Sequence, residues 1–544
     1  MPPVTLFRTA LIFRPGLAIS LIALVLAGCS GGGGGSGSAN AAPPPPQNSW
    51  QPGVFLDAST FINRCESPRT GIDPTTGSAF VDVQGTTLDE NNFLRSYSDD
   101  TYLWYDEIID QDPGLFDDPI EYFDELRTFE TIPGTNLPKD PDSFHFTVDT
   151  LEFFNATQGG VSAGYGAEWV LLSTVPPRDV RVAYTEPNSP ATTGNLERGA
   201  IVLAIDGVDI DDNTQAGVDV LNAGLFPDSI GETHDFMVRD PDGTERLVSM
   251  TTEQVTNAMV QAEQIIDTPS GKVGYMLFNF FRAPAEEALI NAINKLINDA
   301  APDPVADLIL DLRYNGGGFG IIANQLSYMI AGSANTAGRT FELIRFNDKH
   351  PTTDPVTGQP LLPDPFLDET TGIFDLPAGQ PLPSLDLSRV FVLTGGGTCS
   401  ASELVINGLR GIDVEVIQVG STTCGKPYGF YETPNCGTSY FTIQLQTTND
   451  KGFGDFALGF QPADIDDGEA QVRGCIVGDD FSKQLGDPAE DRLEVALAYR
   501  DGLTCITPVA GSSGSLSKTG TGRNIRDGVV RRALFDANRI RLRR

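Results

Sequence analysis

Ser400 and Lys426 are the residues whose types and spacing indicate chemistry. Ser400 follows an apolar run, 390–393, and a glycine turn, 395–397, and it precedes an apolar pattern with helical spacing. A serine hydroxyl becomes a strong nucleophile when a neighbouring base removes its proton, and a helix N-terminus favours developing negative charge. A second apolar run, 414–419, leads to the loop that ends at Lys426. Burial between apolar strands favours a neutral lysine, which can act as a base. The pair therefore predicts a serine nucleophile with a lysine base.

Two other interpretations of these loops stay open. Residues 420–426 nearly match a phosphate-binding P-loop, but Pro427 stands where that motif needs Ser or Thr to hold magnesium. Alternatively, Ser400 and Lys426 are ordinary loop residues. Cys399 is not expected to be the nucleophile, because a catalytic cysteine usually needs a histidine and none is near it in sequence.

Two motifs in this order resemble those of the C-terminal-processing (tail-specific) serine proteases. Residues 400–403 read SASE, and a Gly-Lys pair ends 26 positions after Ser400. Upstream, residues 311–318 read DLRYNGGG, which is similar to the family's Asp-Leu-Arg-x-Asn-x-Gly-Gly. The resemblance covers the stretch 158–505. It implies that a Ser400–Lys426 dyad cleaves peptide bonds, and we expect no cofactor and no metal.

The resemblance also implies an α/β multidomain fold. We expect a Clp/crotonase-like ββα protease core, preceded by a PDZ-like β domain and by a small N-terminal helical domain. The expected boundaries are a signal peptide at 1–29, a Gly/Ser/Pro linker at 30–50, the helical domain at 51–157, the PDZ-like domain at 158–252, the core at 258–508 with a loop insertion at 333–388, and a basic tail at 509–544.

An oxyanion hole is implied beside the nucleophile. In the family, a backbone N–H from the glycine turn and the N–H of the residue after the serine stabilise the oxyanion. Here these positions correspond to Gly317 or Gly318 and to Ala401. Glycine lets the backbone approach a substrate carbonyl without a Cβ in the way. The sequence does not choose between the two glycines.

Phe430 departs from the family pattern. Many members carry a glutamine four positions after the lysine, where it orients the lysine side chain. We therefore expect Lys426 to be oriented by another group, and the candidates are Glu403, Ser402 or a backbone carbonyl.

The segment from Gly164 to Ala167 is expected to bind peptide. In PDZ domains a glycine-containing loop offers N–H groups to a terminal carboxylate, and the peptide adds to the sheet as a further strand. Gly164, Tyr165, Gly166 and Ala167 precede an apolar strand pattern, 169–172, in this position. The alternative is a small β domain that packs as a lid and binds no peptide.

The N-terminus resembles a bacterial lipoprotein signal. Arg8 and Arg14 precede an apolar run, 17–26, and Cys29 follows. The resemblance implies that Cys29 is lipidated and that the protein is exported and anchored to the cell envelope, at the outer membrane on its periplasmic or surface side. The alternative is an uncleaved membrane helix, although the run is shorter than the ~20 residues that a span requires.

The composition excludes several function classes. The net charge is −37, which argues against nucleic acid as a partner, because phosphate binding needs clustered cations. The three histidines, His145, His234 and His350, have no metal-binding spacing. Each is expected to be a surface or hydrogen-bonded core residue, although His145, between two phenylalanines, could approach a site.

The cysteines suggest disulfides. Without Cys29 six remain, and six cysteines allow about fifteen connectivities. Our hypothesis comprises three pairs: Cys399–Cys424, Cys436–Cys475 and Cys65–Cys505. The first pair flanks both members of the dyad and would hold Ser400 near Lys426.

The basic tail has three possible fates. Residues 511–544 are rich in Gly and Ser and then in Arg, on an otherwise acidic chain. Such a segment can dock on its own protein or on anionic lipid, although disorder is the commoner outcome.

Together these patterns predict a lipid-anchored serine endopeptidase. It would cleave exported proteins near or from their C-termini, through an acyl-enzyme, and its partners would be proteins or peptides with exposed C-termini. The alternative is a catalytically silent, PDZ-containing lipoprotein that binds peptides.

Overall fold

The structure is a computed structural model that describes residues 50–505, except 228, and the backbone of Ile540–Arg541. The signal peptide at 1–29 with Cys29, nearly all of the linker and most of the basic tail lie outside the described residues. None of the helices in the described part is both long enough and apolar enough to cross a membrane.

The N-terminal region, residues 51–157, combines short helices with three short strands. Its elements are the 3-10 helices Ala58–Thr60, Tyr105–Glu107 and Pro113–Leu115, helices α1 (Thr87–Thr101), α2 (Pro119–Glu125) and α3 (Thr150–Thr157), and strands β1 (Arg64–Cys65), β2 (Val83–Gln84) and β3 (Phe146–Asp149). Helix α1 starts at a capping box, in which Thr86 Oγ1 accepts from the Asp89 N–H and Asp89 Oδ2 accepts from the Thr86 N–H. Its inner face packs Phe93 and Leu94 against α2.

The β region, residues 158–256, is built around one antiparallel sheet. Its elements are β4 (Val161–Gly164), β5 (Ala167–Ser173), β6 (Asp179–Thr185), α4 (Pro190–Thr193), β7 (Ile201–Ile205), β8 (Val208–Asp209), α5 (Gln215–Leu225), β9 (Thr233–Arg239), β10 (Glu245–Thr251) and β11 (Glu253–Thr256). The strand order is β10-β9-β7-β6-β5, with β8 on β7, and β4 pairs separately with β11. Among the described strands, β5 pairs only with β6, so it is an edge strand.

The core region, residues 258–505, carries the largest sheet. Its elements are β12 (Val260–Thr268), β13 (Gly271–Phe278), α6 (Ala285–Ala300), β14 (Val305–Asp311), α7 (Gly320–Thr336), β15 (Thr340–Arg345), β16 (Asp364–Pro365), β17 (Arg389–Thr394), α8 (Ala401–Gly411), β18 (Glu415–Gly420), β19 (Tyr428–Tyr431), β20 (Thr433–Asn435), β21 (Thr438–Phe441), β22 (Leu445–Thr448), β23 (Gln461–Ala463), β24 (Gln471–Ile476) and α9 (Asp491–Arg500). A last strand, β25 (Ile540–Arg541), lies within the basic tail.

The seven strands of the main sheet run in the order β12-β13-β14-β17-β18-β24-β23. β12 and β13 are antiparallel, and the other neighbours are parallel. Leu310 and Val392 pack with α6, α7 and α8 on one face, whereas Ile309 and Phe391 pack with α9 on the other. Both faces are covered, which explains why β14 is apolar at 308–310 and β17 at 390–393 without alternation.

Two smaller sheets complete the core. One has the order β16-β15-β22-β19-β25, so two of its strands come from the stretch 333–388 that was expected to be a loop insertion. The other is β20-β21-β3, in which β3 of the N-terminal region pairs antiparallel with β21. The N-terminal region is thereby hydrogen-bonded to the core. This mixed α/β content agrees with the expected fold class.

The disulfides agree with one of the three expected pairs. Cys399–Cys424 is present and confirms the hypothesis. Cys436–Cys475 and Cys65–Cys505 are wrong, since the structure joins Cys65 to Cys436 and Cys475 to Cys505.

The physical reason is the packing of distant segments. The Asn63 N–H donates to Asn435 Oδ1 at 2.8 Å, and this contact brings the start of the N-terminal region to the turn after β20. The segment after α9 returns beside β24, where it meets Cys475. Neither contact has a signal in the local sequence.

Candidate active site

The two loops expected to carry the site leave neighbouring strands at the same edge of the main sheet. β14 and β17 are parallel, with Asp311 opposite Leu393. The glycine turn, 316–318, follows β14, and the loop to Ser400 follows β17. Carboxyl ends of parallel strands are where α/β folds usually bind ligands. The parallel pairing therefore brings the two motifs together.

Asn315 joins the glycine turn to the serine loop. Its Oδ1 accepts from the Gly317 N–H at 2.9 Å, and its Nδ2 donates to the Phe278 carbonyl at 2.9 Å. Its own carbonyl accepts from the Cys399 N–H at 3.1 Å and from Ser402 Oγ at 3.0 Å. One asparagine thus fixes both loops against β13.

Ser400 sits on a strained turn at the N-terminus of α8. Its backbone has φ 59° and ψ −111°, a left-handed conformation that costs a non-glycine residue on the order of 1–3 kcal/mol. Its N–H donates to Glu403 Oε2 at 2.9 Å. The side chain is 1% exposed, and within the described part of the chain its Oγ has no hydrogen-bond partner. A strained residue between a strand and a helix is typical of an activated serine.

The glycine turn is packed directly against Ser400. Gly317 has φ 109°, and a Cβ there would lie 3.0 Å from Ser400 Cβ and 3.0 Å from the Ala401 nitrogen. The backbone of Gly317 therefore lies so close to Ser400 that only glycine, which has no Cβ, fits at this position.

The hydrogen bonds of this turn distinguish its two glycines. The Gly317 N–H is donated to Asn315, and the Phe319 N–H is donated to the Phe281 carbonyl at 2.7 Å. The Gly318 N–H has no such acceptor in the described part of the chain. Gly318 also has φ 133°, and a Cβ there would lie 2.3 Å from the Phe281 carbonyl oxygen.

Glu403 connects the serine turn to the lysine loop. Besides the Ser400 N–H, its carboxylate accepts from Thr423 Oγ1 at 2.5 Å and from the N–H groups of Gly425 and Lys426, both at 2.8 Å. The side chain is fully buried. Burial raises the pKa of Glu403, although the hydrogen bonds from Thr423, Lys426, Ser400 and Gly425 oppose that shift. One carboxylate thus holds the backbone of both members of the expected dyad.

A covalent bond also joins the two loops. The disulfide links Cys399 to Cys424 with a Cα–Cα distance of 5.1 Å, and the Cys424 N–H donates to the Thr398 carbonyl at 3.0 Å. Cys399, Glu403 and Cys424 are the one cluster of possible metal ligands found among the described residues, with ligand atoms within 4.8 Å of one another. Because both sulfurs are bonded to each other, this cluster does not offer thiolates to a metal.

Lys426 lies in a closed aromatic pocket. It is 1% exposed, and its Nζ is 4.3 Å from the centroid of the Phe430 ring and 4.7 Å from that of Phe144. Phe430, at the position expected for an orienting glutamine, thus contacts the lysine through its ring. Of the other candidates, Glu403 binds the backbone N–H of Lys426, and Ser402 Oγ is directed to Asn315.

Asp140 is a buried carboxylate near this pocket that the sequence did not single out. Its Oδ2 accepts from the Tyr102 hydroxyl at 2.7 Å, and its Oδ1 has no partner among the described residues. Burial raises the pKa of Asp140 to about 7, although the Tyr102 hydrogen bond and the charges of Arg127 and Lys426 oppose that shift. Because Asp140 and Phe144 both belong to the N-terminal region, that region helps to build the lysine pocket.

His145 is a core residue. Its Nδ1 is 3.0 Å from Thr442 Oγ1, and its Nε2 is 2.7 Å from the Phe123 carbonyl oxygen. Burial lowers the pKa of His145 to about 3, so the ring is neutral at physiological pH. These two contacts account for both ring nitrogens, as expected for a hydrogen-bonded core histidine.

The expected peptide-binding segment lies in the β region. Gly164 ends β4 opposite Glu253, and Ala167 begins the edge strand β5. The carbonyls of Tyr165 and Gly166 accept from the N–H groups of Ala191 and Glu186. These two hydrogen bonds involve carbonyl oxygens of the segment. They do not involve its N–H groups, which are the groups expected to bind a carboxylate.

The comparisons with known proteins include a family model that matches part of the core region. Residues 272–451 match the model of peptidase family S41. Over 250 residues the chain is 27% identical to the carboxyl-terminal-processing protease of Picosynechococcus sp., a match that covers 44% of this chain and 55% of that protein. The chain thus matches about half the length of this curated relative.

Solved structures show similarity of fold. A crystal structure from Bacteroides fragilis NCTC 9343, described as an S41 protease, is 22% identical, with a TM-score of 0.53, and covers 76% of this chain and 97% of that chain. A photosystem II D1 C-terminal processing protease is 17% identical, with a TM-score of 0.42, and covers 76% of this chain and 100% of that chain. At 22% identity, the first similarity concerns the fold alone.

Proposed function

We propose that this chain is a serine-type endopeptidase that cleaves exported proteins near or from their C-termini, because residues 272–451 match the model of peptidase family S41. The single observation that carries this proposal is the position of Glu403. Its carboxylate binds the backbone N–H groups of Ser400 and Lys426 at 2.9 and 2.8 Å, so a nucleophile and a base are held by one side chain.

Ser400 and Lys426 divide the chemistry between them. Ser400 Oγ attacks the substrate carbonyl while Lys426 Nζ takes its proton, and Lys426 then returns that proton to the leaving amine. The products are an acyl-enzyme and a free amine, and water then hydrolyses the ester. Ser400 Oγ has no hydrogen bond among the described residues, so the Oγ and Nζ atoms must come within hydrogen-bond distance before attack. This role requires the Lys426 amine to be neutral when Ser400 attacks.

Gly318 and Ala401 are the proposed oxyanion donors. The N–H of Gly317 is already donated to Asn315, which favours Gly318 as the donor from the glycine turn. Gly317 has a different role, since its lack of a side chain lets the turn approach Ser400. One donor of this kind lowers a barrier by ~2.7–4 kcal/mol in a well-studied protease.

The β region is proposed to capture the substrate as a PDZ-like domain. β5 is an edge strand among the described strands, and an extended peptide can pair with such an edge. The segment from Gly164 to Ala167 precedes β5, where a terminal carboxylate would be bound. Anchoring through Cys29 would keep the enzyme at the cell envelope, facing exported substrates.

The test compares three variants on an unfolded protein substrate. Ser400→Ala and Lys426→Ala are each expected to abolish turnover while leaving the circular dichroism spectrum unchanged. Lys295→Ala is the matched control, because Lys295 is a surface lysine paired with Asp299 and is 45% exposed. Turnover at the wild-type rate by Ser400→Ala would end the assignment.

One observation favours a second function. Ser400 is 1% exposed and its Oγ is unpartnered in the described part of the chain, as expected of a scaffold that binds peptides without cleaving them. This alternative predicts that the wild type and Ser400→Ala bind the same peptides and that neither turns them over.

A further inference from the structure

The end of the polypeptide supplies a strand beside the candidate active site. β25 pairs in parallel with β19, with Ile540 opposite Phe430 and Arg541 opposite Tyr431. β19 begins two residues after Lys426, and its other neighbour is β22. Among the described strands, therefore, only β25 covers this edge of β19, next to the proposed base.

β25 also lies beside a second element of the core. Its Cα atoms come within 8 Å of those of α7, the helix that begins two residues after Gly318. The tail strand thus neighbours both the strand that follows the proposed base and the helix that follows the glycine turn. Ser400 is 1% exposed in this same arrangement.

Charge favours this placement of the tail. Residues 511–544 contain nine Lys and Arg but only two Asp, whereas the whole protein has a net charge of −37. A basic segment tethered to a strongly acidic protein is attracted to it over a range set by the ionic strength. Attraction of this kind increases the local concentration of the tail at the protein surface.

The tail is also long enough to reach β19 in the same molecule. Thirty-four residues lie between Cys505 and Ile540. At ~3.3–3.6 Å per extended residue they can span on the order of 110 Å, which exceeds the size of a folded domain. A tether of this length gives an effective concentration up to the millimolar range.

We propose that the outer edge of β19 is a binding site for an extended peptide, and that residues 540–541 of this protein occupy it in competition with substrate. Main-chain hydrogen bonds between strands provide the affinity, so the site tolerates different sequences. The competition with substrate rests on the proposed function, whereas the binding site does not. The ligand class is an unfolded, basic peptide segment.

Direct binding tests the site without catalysis. The probe is a fluorescein-labelled peptide of residues 536–544, and the proteins are the full-length Ser400→Ala variant and a Ser400→Ala variant that ends at residue 538. We expect the truncated variant to bind the peptide at least ~10-fold more tightly, because the tethered competitor is gone. Hydrogen exchange of the Phe430 amide should be slower in the full-length variant, whereas the Tyr431 N–H donates to Gln444 Oε1 at 2.8 Å and should be protected in both variants.

Proline variants separate strand pairing from charge. In a parallel ladder only alternate residues donate to a given neighbour, so one of the two residues 540 and 541 donates its N–H to β19. The proline variant at that position, Ile540→Pro or Arg541→Pro, should release the site as truncation does. Arg543→Gln with Arg544→Gln keeps the paired residues and should have a smaller effect, which weakens as salt is raised.

Activity measurements then connect the site to turnover. With Ser400 intact, the truncated protein should show a lower KM for an unfolded substrate, by about the factor seen in binding, at an unchanged kcat. Equal peptide affinity of the two Ser400→Ala variants would overturn the inference. It would also be overturned if the tail bound anionic vesicles while truncation left the peptide affinity unchanged. A protein that binds the peptide as expected but cleaves nothing would refute the proposed function and leave the binding site standing.

Discussion

At the scale of single residues, the loops of the candidate site are held in place by hydrogen bonds between their backbone and polar residues, rather than by direct contacts between the proposed reacting side chains. Glu403 accepts from two backbone N–H groups of the lysine loop and from that of Ser400. Asn315 links the glycine turn, which donates to its side-chain Oδ1, to the serine loop, which donates to its backbone carbonyl. Such contacts position the reacting atoms before substrate arrives, which is where much of the catalytic effect of enzymes originates.

Gly317→Ala should test the close approach of the glycine turn. Its Cβ would lie 2.9 Å from the Cys399 carbonyl oxygen and 3.0 Å from the Ala401 nitrogen, at a φ of 109°. We expect kcat to fall by roughly 10²-fold, because a displacement of about 1 Å is sufficient for such a loss. Gly396→Ala is the control, since its Cβ would meet nothing within 4 Å. Similar kcat values for the two variants would contradict this prediction.

Asp140→Asn should change how stability depends on pH. Burial raises the pKa of Asp140 to about 7 in the folded protein. The folded state therefore holds this proton more tightly, and the stability that it contributes is lost as pH rises from ~4 to ~7. Asparagine cannot ionise, and its side-chain oxygen still accepts the hydrogen bond from the Tyr102 hydroxyl. As pH rises, the free energy of unfolding of the variant should therefore increase relative to that of wild type, by at most ~1.4 kcal/mol per pH unit.

Urea denaturation at pH 5 and pH 8 measures this difference. Asp142→Asn, on the same loop, removes a charge that pairs with Arg127 and is 48% exposed. It serves as the comparison for the loss of a carboxylate from this loop. A difference between Asp140→Asn and wild type that stays constant from pH 5 to pH 8 would speak against a buried, protonated Asp140.

At the scale of elements, two parallel strands and one disulfide bring the loops together. β14 and β17 end side by side, so the motifs that follow them share one edge of the sheet. The lysine loop follows β18, the next strand of that sheet, and the Cys399–Cys424 bond closes it onto the serine loop. This bond lies within the site, whereas Cys475–Cys505 lies at the end of the core region.

Removing the two disulfides separately should separate stability from activity. Cys399→Ala with Cys424→Ala opens a link of 25 residues, and Cys475→Ala with Cys505→Ala opens one of 30 residues. Each double variant should lose about 3–4 kcal/mol of stability, because the loops are similar in length. Only the first should also lose kcat when assayed below its unfolding transition. Equal specific activities of the folded variants would show that the disulfide does not position the dyad.

At the scale of the whole molecule, the N-terminal region helps to build the candidate site and the β region is joined to the core by buried ion pairs. The N-terminal region adds Asp140 and Phe144 to the lysine pocket. The β region is connected to the core by Arg198, whose guanidinium donates to Asp479 and to the Tyr314 hydroxyl, both at 2.6 Å. Burial opposes ionisation of Asp479, but Arg198, Arg492 and Arg313 outweigh it and hold its pKa well below the usual range.

Arg198→Ala should weaken the connection between the β region and the core. Its side chain is 1% exposed, and removing one partner from a buried ion pair typically costs about 3–5 kcal/mol. Arg239→Ala is the control, because Arg239 and Glu245 are 44% and 52% exposed and such surface pairs contribute ~0–1 kcal/mol. Chemical denaturation of both variants measures the difference. Equal stability losses would mean that the buried network does not hold the regions together.

Much of the chemistry could be predicted locally. The strand, glycine turn and serine at a helix start form one continuous pattern, and Cys399–Cys424 closes a short span between two recognised motifs. The PDZ-like role of the β region and the lipid anchor stay predictions. Asp140 and Phe144 gave no usable signal, because nothing in the segment from 140 to 144 indicates which pocket it will line.

The sequence by itself determined the residue types, their order and the apolar strands that carry them, because these depend on neighbours along the polypeptide. Tertiary structure decided which glycine N–H is already hydrogen-bonded and which strand pairs with residues 540–541. It also decided which cysteines form disulfides, such as Cys65 and Cys436, which are 371 residues apart. Those outcomes are set by contacts between segments far apart in sequence, and no local pattern encodes which segments become neighbours.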